Sequence, residues 1–118
     1  MNKDLVPTIV IALKRPTIRI NKETLQLLGN PSHILLSVNP TECSLMILPT
    51  NSMDTKSLNI SKNLNKNKKF IELYSTFLVK QLERICDVLV GEKSYKMFGE
   101  YIKSKAVVKF DMKKAMAI

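Results

Sequence analysis

The side chains in this sequence that are best suited to bind a ligand are basic, and they occur in three clusters. The chain has 118 residues, with 19 Lys and Arg against 10 Asp and Glu, which gives a formal net charge of +9. Cationic side chains neutralise the phosphates of nucleic acids. The residues that we predict to make such contacts are Lys14, Arg15, Arg19 and Lys22, then Lys66, Lys68 and Lys69, then Lys103 and Lys105.

The position of each cluster supports this prediction. Arg15 follows a predicted strand at a turn, and Arg19 alternates outward on the next strand, beside a predicted helix N-terminus at Asn21 that would favour anions. The second cluster lies in a polar segment, residues 56–69, that has no acidic residue. Lys outnumbers Arg, which favours phosphate contacts over base reading and indicates that AT-rich coding contributes to the charge.

Other chemistries lack the residues that they need. His33 is the single histidine and has no nucleophile or carboxylate at a relay spacing. Cys43 and Cys86 are far apart and form no zinc motif, so we expect reduced thiols. The three glycines form no phosphate-binding loop. We therefore predict no catalytic residue, no metal, no cofactor and no enzymatic activity.

The first half of the chain predicts short strands around a short helix. Residues 8–13 are β-branched or apolar, residues 17–20 alternate Ile with polar side chains, and the two segments read as two strands. Asn21 is a suitable N-cap, and Gly29 ends the helix that it begins. Residues 33–38 and 44–48 then form a predicted hairpin. Both faces of that hairpin are largely apolar, so we expect a second copy of the chain to cover one of them, as a homodimer.

The second half predicts a polar linker, a long helix and another hairpin. Residues 50–68 read as the linker, with a short strand at 58–61. Residues 69–90 carry apolar side chains at three- and four-residue steps, which predicts a long amphipathic helix. Residues 95–102 and 106–112 form the second hairpin. The predicted fold class is α+β, in one domain with subunits 1–49 and 69–118, and a duplicated helix–hairpin unit follows if Gly29 is placed over Gly91.

Residues 8–49 resemble the AbrB and MraZ swapped-hairpin families. The resemblance rests on the string TIRINKETLQLLGNPSHILLSVNPTECSLMILP, in which a strand leads into Lys22-Glu23 and Leu28-Gly29 and then a hairpin. It implies an intertwined homodimer that binds DNA. In this sequence that role would fall on Lys14, Arg15 and Arg19. Asn21 stands where those families have Pro.

The sequence thus predicts a dimeric, cytoplasmic nucleic-acid-binding protein, specifically a bacterial transcription regulator that binds DNA rather than RNA. One alternative is a single-strand binder that stacks bases on Tyr95 and Tyr101. Another is a protein-interaction factor of a phage or mobile element, which docks an acidic protein. The longest apolar stretches are too short to span a membrane, so we expect no membrane association.

Overall fold

A computed structural model of the protein describes residues 5–61 and 68–118. Two α-helices, a short 3-10 helix at Met112–Lys114 and nine strands are found in these residues. The elements in chain order are β1 (Thr8–Ala12), β2 (Thr17–Asn21), α1 (Lys22–Leu27), β3 (His33–Asn39), β4 (Ser44–Thr50), β5 (Leu58–Asn59), β6 (Phe70–Tyr74), α2 (Thr76–Ile85), β7 (Ser94–Ile102), β8 (Val107–Asp111) and β9 (Met116–Ala117).

The strands form one continuous antiparallel sheet that curls into a half-barrel. Its order is β5-β3-β4-β8-β7-β1-β2-β6, with β9 paired to β7. The predicted α+β class with a long helix is therefore wrong, because 44% of the residues lie in strands and 19% in helices. The predicted pairs of strands in residues 8–20, 33–48 and 95–112 are all present, but tertiary pairing joins them into a single sheet.

The prediction of one long helix over 69–90 is wrong, because this segment contains a strand, a helix and a turn. Residues 70–74 form β6, which pairs with β2. Ser75 then caps α2 by accepting a hydrogen bond from the Leu78 backbone N–H, and α2 ends at Ile85. The apolar residues of this 22-residue segment recur at helical steps. Five of its positions, 70–74, also fit the two-residue alternation of a strand. The cross-strand partner β2 decides between the two periods.

The short helix α1 begins and ends as its sequence predicts. The side chain of Asn21 accepts hydrogen bonds from the backbone N–H groups of Thr24 and Thr8, each at 3.0 Å. Gly29 follows the helix at φ +82°, a left-handed conformation that glycine adopts without steric cost. Asn21 therefore caps the helix and also ties it to the first residue of β1.

The two halves of the chain are related by an internal two-fold arrangement. An offset of 63 residues lays β3–β4 onto β7–β8, so that the pair Leu36↔Ile47 falls on Gly99↔Phe110. Equivalent strands also pair antiparallel with each other, β2 with β6 and β4 with β8, as a two-fold axis through the sheet requires. The repeated unit includes the strand before each helix, β2 or β6, which the predicted helix–hairpin unit does not. Its hairpins align at an offset of 63 residues, one more than the offset that places Gly29 over Gly91.

The half-barrel encloses a single core to which both halves contribute. Ile34 and Leu45 from the first hairpin, Val108 and Phe110 from the second, and the buried faces of both helices belong to it. The second half of the chain thus covers the inward face of the first hairpin, a face that the sequence predicts to be covered by a second copy. Homodimerisation itself stays a prediction. Within the described residues, no helix is long and apolar enough to cross a membrane.

Candidate nucleic-acid interface

The turn between β1 and β2 brings two of the predicted contact residues to the surface. Lys14 and Arg15 are exposed there, and both line an open cleft of about 340 Å³. The cleft lies on the outer face of the sheet, and it is also lined by Ser94 and by Thr17, which is 7% exposed. Neither Lys14 nor Arg15 forms an ion pair with any residue of 5–61 or 68–118. Both cations therefore face solvent with donors available for an anion.

Arg19 lies in the same cleft but is already engaged. Its Nε donates to Glu72 Oε2 at 2.7 Å, and its guanidinium lies 4.8 Å from the centre of the Phe70 ring. Glu72 belongs to the segment predicted as a long helix, and it lies instead directly across from Arg19 in the β2–β6 pair. The structure thus places Arg19 beside Lys14 and Arg15 but neutralises its charge.

Two acidic side chains make the cleft less cationic than the sequence suggests. Glu72 and Glu92 both line it. Glu72 is occupied by Arg19, whereas Glu92 faces the cleft from the loop before β7. The helix N-terminus expected to attract an anion does not serve as a site, because Asn21 occupies the Thr24 backbone N–H and α1 has six residues. The β1–β2 turn is therefore the most cationic part of this surface.

The first and second predicted clusters meet at the other end of β2. The backbone N–H of Lys22 donates to the carbonyl of Lys69 at 2.8 Å, and Lys68 precedes Lys69. All three side chains are exposed. Lys66 lies outside the described residues. The structure therefore separates Lys22 from Lys14 and Arg15 and groups it with Lys68 and Lys69.

The third cluster lies in a different turn. Lys103 and Lys105 are exposed between β7 and β8. Lys103 lines a groove of about 830 Å³ together with Leu27, Tyr101 and the segment 5–7. This groove is not lined by the β1–β2 turn, and the cleft of Lys14 and Arg15 is not lined by Lys103. The third cluster is thus a separate basic surface.

The aromatic residues predicted to stack bases do not form an exposed pair. Tyr95 is 5% exposed, and its hydroxyl donates to the carbonyl of Val90 at 2.9 Å. Tyr101 is partly buried against the core. The exposed aromatic on this strand is Phe98, 52% exposed, with the Lys96 ammonium 5.3 Å from its ring centre. The alternation of side chains along residues 95–102 predicts this strand correctly. Because the face that carries Tyr95 is buried, Lys96 and Phe98 lie on the outer face.

Phe98 shares the outer face with further aromatic side chains. The register of β6, β2, β1 and β7 places Phe70, Asn21, Thr8 and Phe98 in one row across the sheet. Tyr74, 71% exposed, lies four residues along β6 from Phe70. The sequence analysis missed Phe70 and Tyr74 as surface aromatics because it placed both in a helix.

His33 lies close to a hydroxyl that the sequence analysis did not pair with it. Its Nδ1 is 2.9 Å from Oγ of the adjacent Ser32, and Ser32 is exposed. Among the residues that the structure describes, no carboxylate hydrogen bonds to the imidazole and no group of three potential metal ligands occurs. The pair is a local contact at the start of β3.

No known family model matches the chain, and no curated protein or solved structure matches it. The resemblance to the AbrB and MraZ families therefore stays a prediction.

Proposed function

We propose that this protein binds nucleic acid and that Lys14 and Arg15 contact its phosphates. One observation carries the proposal: both side chains are exposed in a single turn, without an ion pair to the described residues, at a cleft that Thr17 and Ser94 also line. Cations and hydroxyl donors are the groups that most often contact phosphate oxygens. The net charge of +9 supports the same partner class.

The basic groups at the two ends of β2 extend the proposed contact surface. Lys14 and Arg15 lie at one end, and Lys22, Lys68 and Lys69 lie at the other. At about 3.3 Å per residue, these ends are roughly 20 Å apart. Duplex DNA rises about 3.4 Å per base pair, so this distance corresponds to about six base pairs. Lys96, on β7, neighbours Val10 between the two ends.

The proposal is tested by measuring affinity for random-sequence duplex and single-stranded DNA at several salt concentrations. In the double variant Lys14→Ala/Arg15→Ala, two phosphate contacts are removed. The plot of log affinity against log salt should become shallower by about two, and affinity at 0.1 M salt should fall roughly ten- to a hundredfold. Circular dichroism of the variant checks that it folds.

The matched control is Lys113→Ala/Lys114→Ala, which removes the same charge from two exposed residues that do not line the cleft. It should leave the salt slope unchanged. Equal losses in both variants would mean that net charge alone governs binding. No binding by the natural protein at low salt would overturn the proposal and would favour the alternative of a protein that docks an acidic partner.

The outer aromatics favour a second candidate function, binding of single strands. Phe70 and Phe98 each lie beside a cation and face the same side of the sheet, as stacking platforms for bases require. Phe98→Ala should then weaken single-strand binding by roughly tenfold while duplex affinity stays constant. Equal affinity of this variant and the natural protein for single strands would count against stacking.

The more specific expectations belong to the same proposal. We propose a regulator that binds DNA as a homodimer in the bacterial cytoplasm, and that catalyses no reaction. The resemblance of residues 8–49 to swapped-hairpin proteins supports this proposal. Sedimentation of the free protein and of its DNA complex measures the stoichiometry.

A further inference from the structure

The two cysteines, distant in sequence, meet where the two halves of the chain pack together. Cys43 lies in the turn between β3 and β4, and Cys86 is the C-cap residue that follows α2. The Cys43 thiol donates to the carbonyl of Ile85 at 3.1 Å, and that carbonyl belongs to the peptide group leading into Cys86. Both cysteines are reduced. The sequence analysis treated them as unrelated thiols.

The two cysteines differ in how far each is buried. Cys86 is fully buried and part of the core, and Cys43 packs against that core while partly exposed. Burial raises the pKa of the Cys86 thiol, and the adjacent Cys43 side chain, as a hydrogen-bond partner, raises that pKa further. One thiol is thus accessible to a reagent from solvent, and its neighbour is shielded.

Turn geometry does not account for a cysteine at position 43. Cys43 has φ +53°, and the equivalent residue of the second hairpin is Ala106 at φ +52°. Left-handed turn positions favour glycine and asparagine, and cysteine has no advantage there. The position of its sulfur at the end of α2 is the feature that distinguishes Cys43 from Ala106.

We propose that Cys43 and Cys86 form a reversible intramolecular disulfide, which links the β3–β4 turn of the first half to α2 of the second. This proposal is independent of the nucleic-acid function. The accessible Cys43 reacts first with a small-molecule disulfide such as oxidised glutathione, and the buried Cys86 then resolves the product.

The exchange is balanced in two steps. The Cys43 thiolate attacks one sulfur of the oxidant, so that the oxidant's S–S bond breaks, a mixed disulfide forms and one glutathione thiolate leaves. Cys86 then loses its proton and attacks the Cys43 sulfur, which releases the second glutathione. Two electrons pass from the protein thiols to the oxidant, and the two protons end on the two glutathione molecules.

The test equilibrates the full-length protein with buffers of increasing oxidised-to-reduced glutathione ratio. Free thiols are counted after acid quenching, and intact and digested protein is weighed by mass spectrometry. We expect both thiols to be lost together, a mass about 2 Da lower, and one peptide pair joined through Cys43 and Cys86. Thermal unfolding of the oxidised monomer should shift upward by roughly 10 °C, and reductant should reverse the shift.

The variants Cys86→Ser and Cys43→Ser separate the two roles. Cys86→Ser should stop at a mixed disulfide on Cys43, whereas Cys43→Ser should keep its buried thiol. Formation of the internal disulfide in 6 M guanidinium chloride should be at least about tenfold slower than in the folded protein, because only the folded chain holds the two sulfurs together. Retention of both thiols, glutathione on both cysteines, or disulfide-linked dimers without the internal bridge would each overturn the proposal.

Discussion

Whether a charged side chain can serve a ligand depends on what it faces in the folded chain. Arg19 and Lys109 each face a carboxylate, Glu72 at 2.7 Å and Glu42 at 3.0 Å respectively. Lys14 has no such partner among residues 5–61 and 68–118. Cationic residues of one sequence cluster, such as Lys14 and Arg19, therefore differ in the charge that they offer to a ligand.

The pair of Glu42 and Lys109 predicts a measurable titration. A hydrogen bond and the charge of Lys109 lower the pKa of Glu42 below its ordinary value of 4.5. A lowered pKa means that the pair contributes stability above pH 4.5, and that this contribution is lost as pH falls through the pKa of the folded state. In the Lys109→Ala variant, NMR titration of the Glu42 carboxyl should give a pKa nearer 4.5.

Lys113→Ala is the control for this titration. Lys113 lowers the pKa of Glu42 only weakly, through its charge alone. Its removal should therefore move the Glu42 midpoint less than the removal of Lys109 does. An unchanged midpoint in Lys109→Ala would show that the ion pair does not persist in solution.

Among the elements, β7 connects the two parts of the sheet. Its residues 94–98 pair with β1, and its residues 99–102 pair with β8. Gly99 lies at the change of partner, opposite Phe110. At the equivalent position of the first hairpin, Leu36 lies opposite Ile47. The second hairpin thus has a small residue facing a large one where the first has two of intermediate size.

Gly99→Ala should destabilise the fold by steric crowding. An added Cβ would lie 2.7 Å from Cε1 of Phe110 and 2.9 Å from Cγ1 of Val108. Overpacking of this kind costs about 1–3 kcal/mol, measurable by urea unfolding. The double variant Gly99→Ala/Phe110→Leu frees space and should recover part of the loss. A Gly99→Ala protein as stable as the natural one would show that the neighbouring side chains yield freely.

In the whole molecule, unlike residues meet where the two halves pair symmetrically. Arg19 lies opposite Glu72 in the β2–β6 pair, and Met46 lies opposite Lys109 in the β4–β8 pair. If two first halves paired in the same way, Arg19 would face Arg19. If two second halves did, Glu72 would face Glu72 and Lys109 would face Lys109. Like charges directly opposite each other destabilise a sheet, so the charges favour pairing of the first half with the second.

This arrangement predicts that the two halves recognise each other as separate chains. Fragments 1–61 and 62–118, when expressed together, should form a 1:1 complex with the circular dichroism of the intact protein, and each alone should be largely unfolded. Fragments that carry Arg19→Glu and Glu72→Arg, used together, should still associate, whereas Arg19→Glu alone should weaken the complex. Analytical ultracentrifugation measures the stoichiometry, and a stable homodimer of 1–61 would contradict the prediction.

Outside residues 69–90, the sequence by itself determined much of the local structure of this protein. Asn21 as a helix cap, Gly29 as a helix end and the two hairpins follow from residue preferences over a few positions, and the structure confirms them. The exposed Lys14 and Arg15 at a strand turn follow in the same way. Each depends on neighbours in the chain, which a single sequence contains.

Only the tertiary structure decided the fold class and the state of each site residue. Residues 70–74 are a strand because β2 supplies partners for their backbone, and Tyr95 is buried because its face of β7 points inward. Arg19 is neutralised by Glu72, and Cys43 meets Cys86, through contacts between residues more than forty positions apart. The free energy of such contacts arises only when distant segments pair, so no local pattern records it.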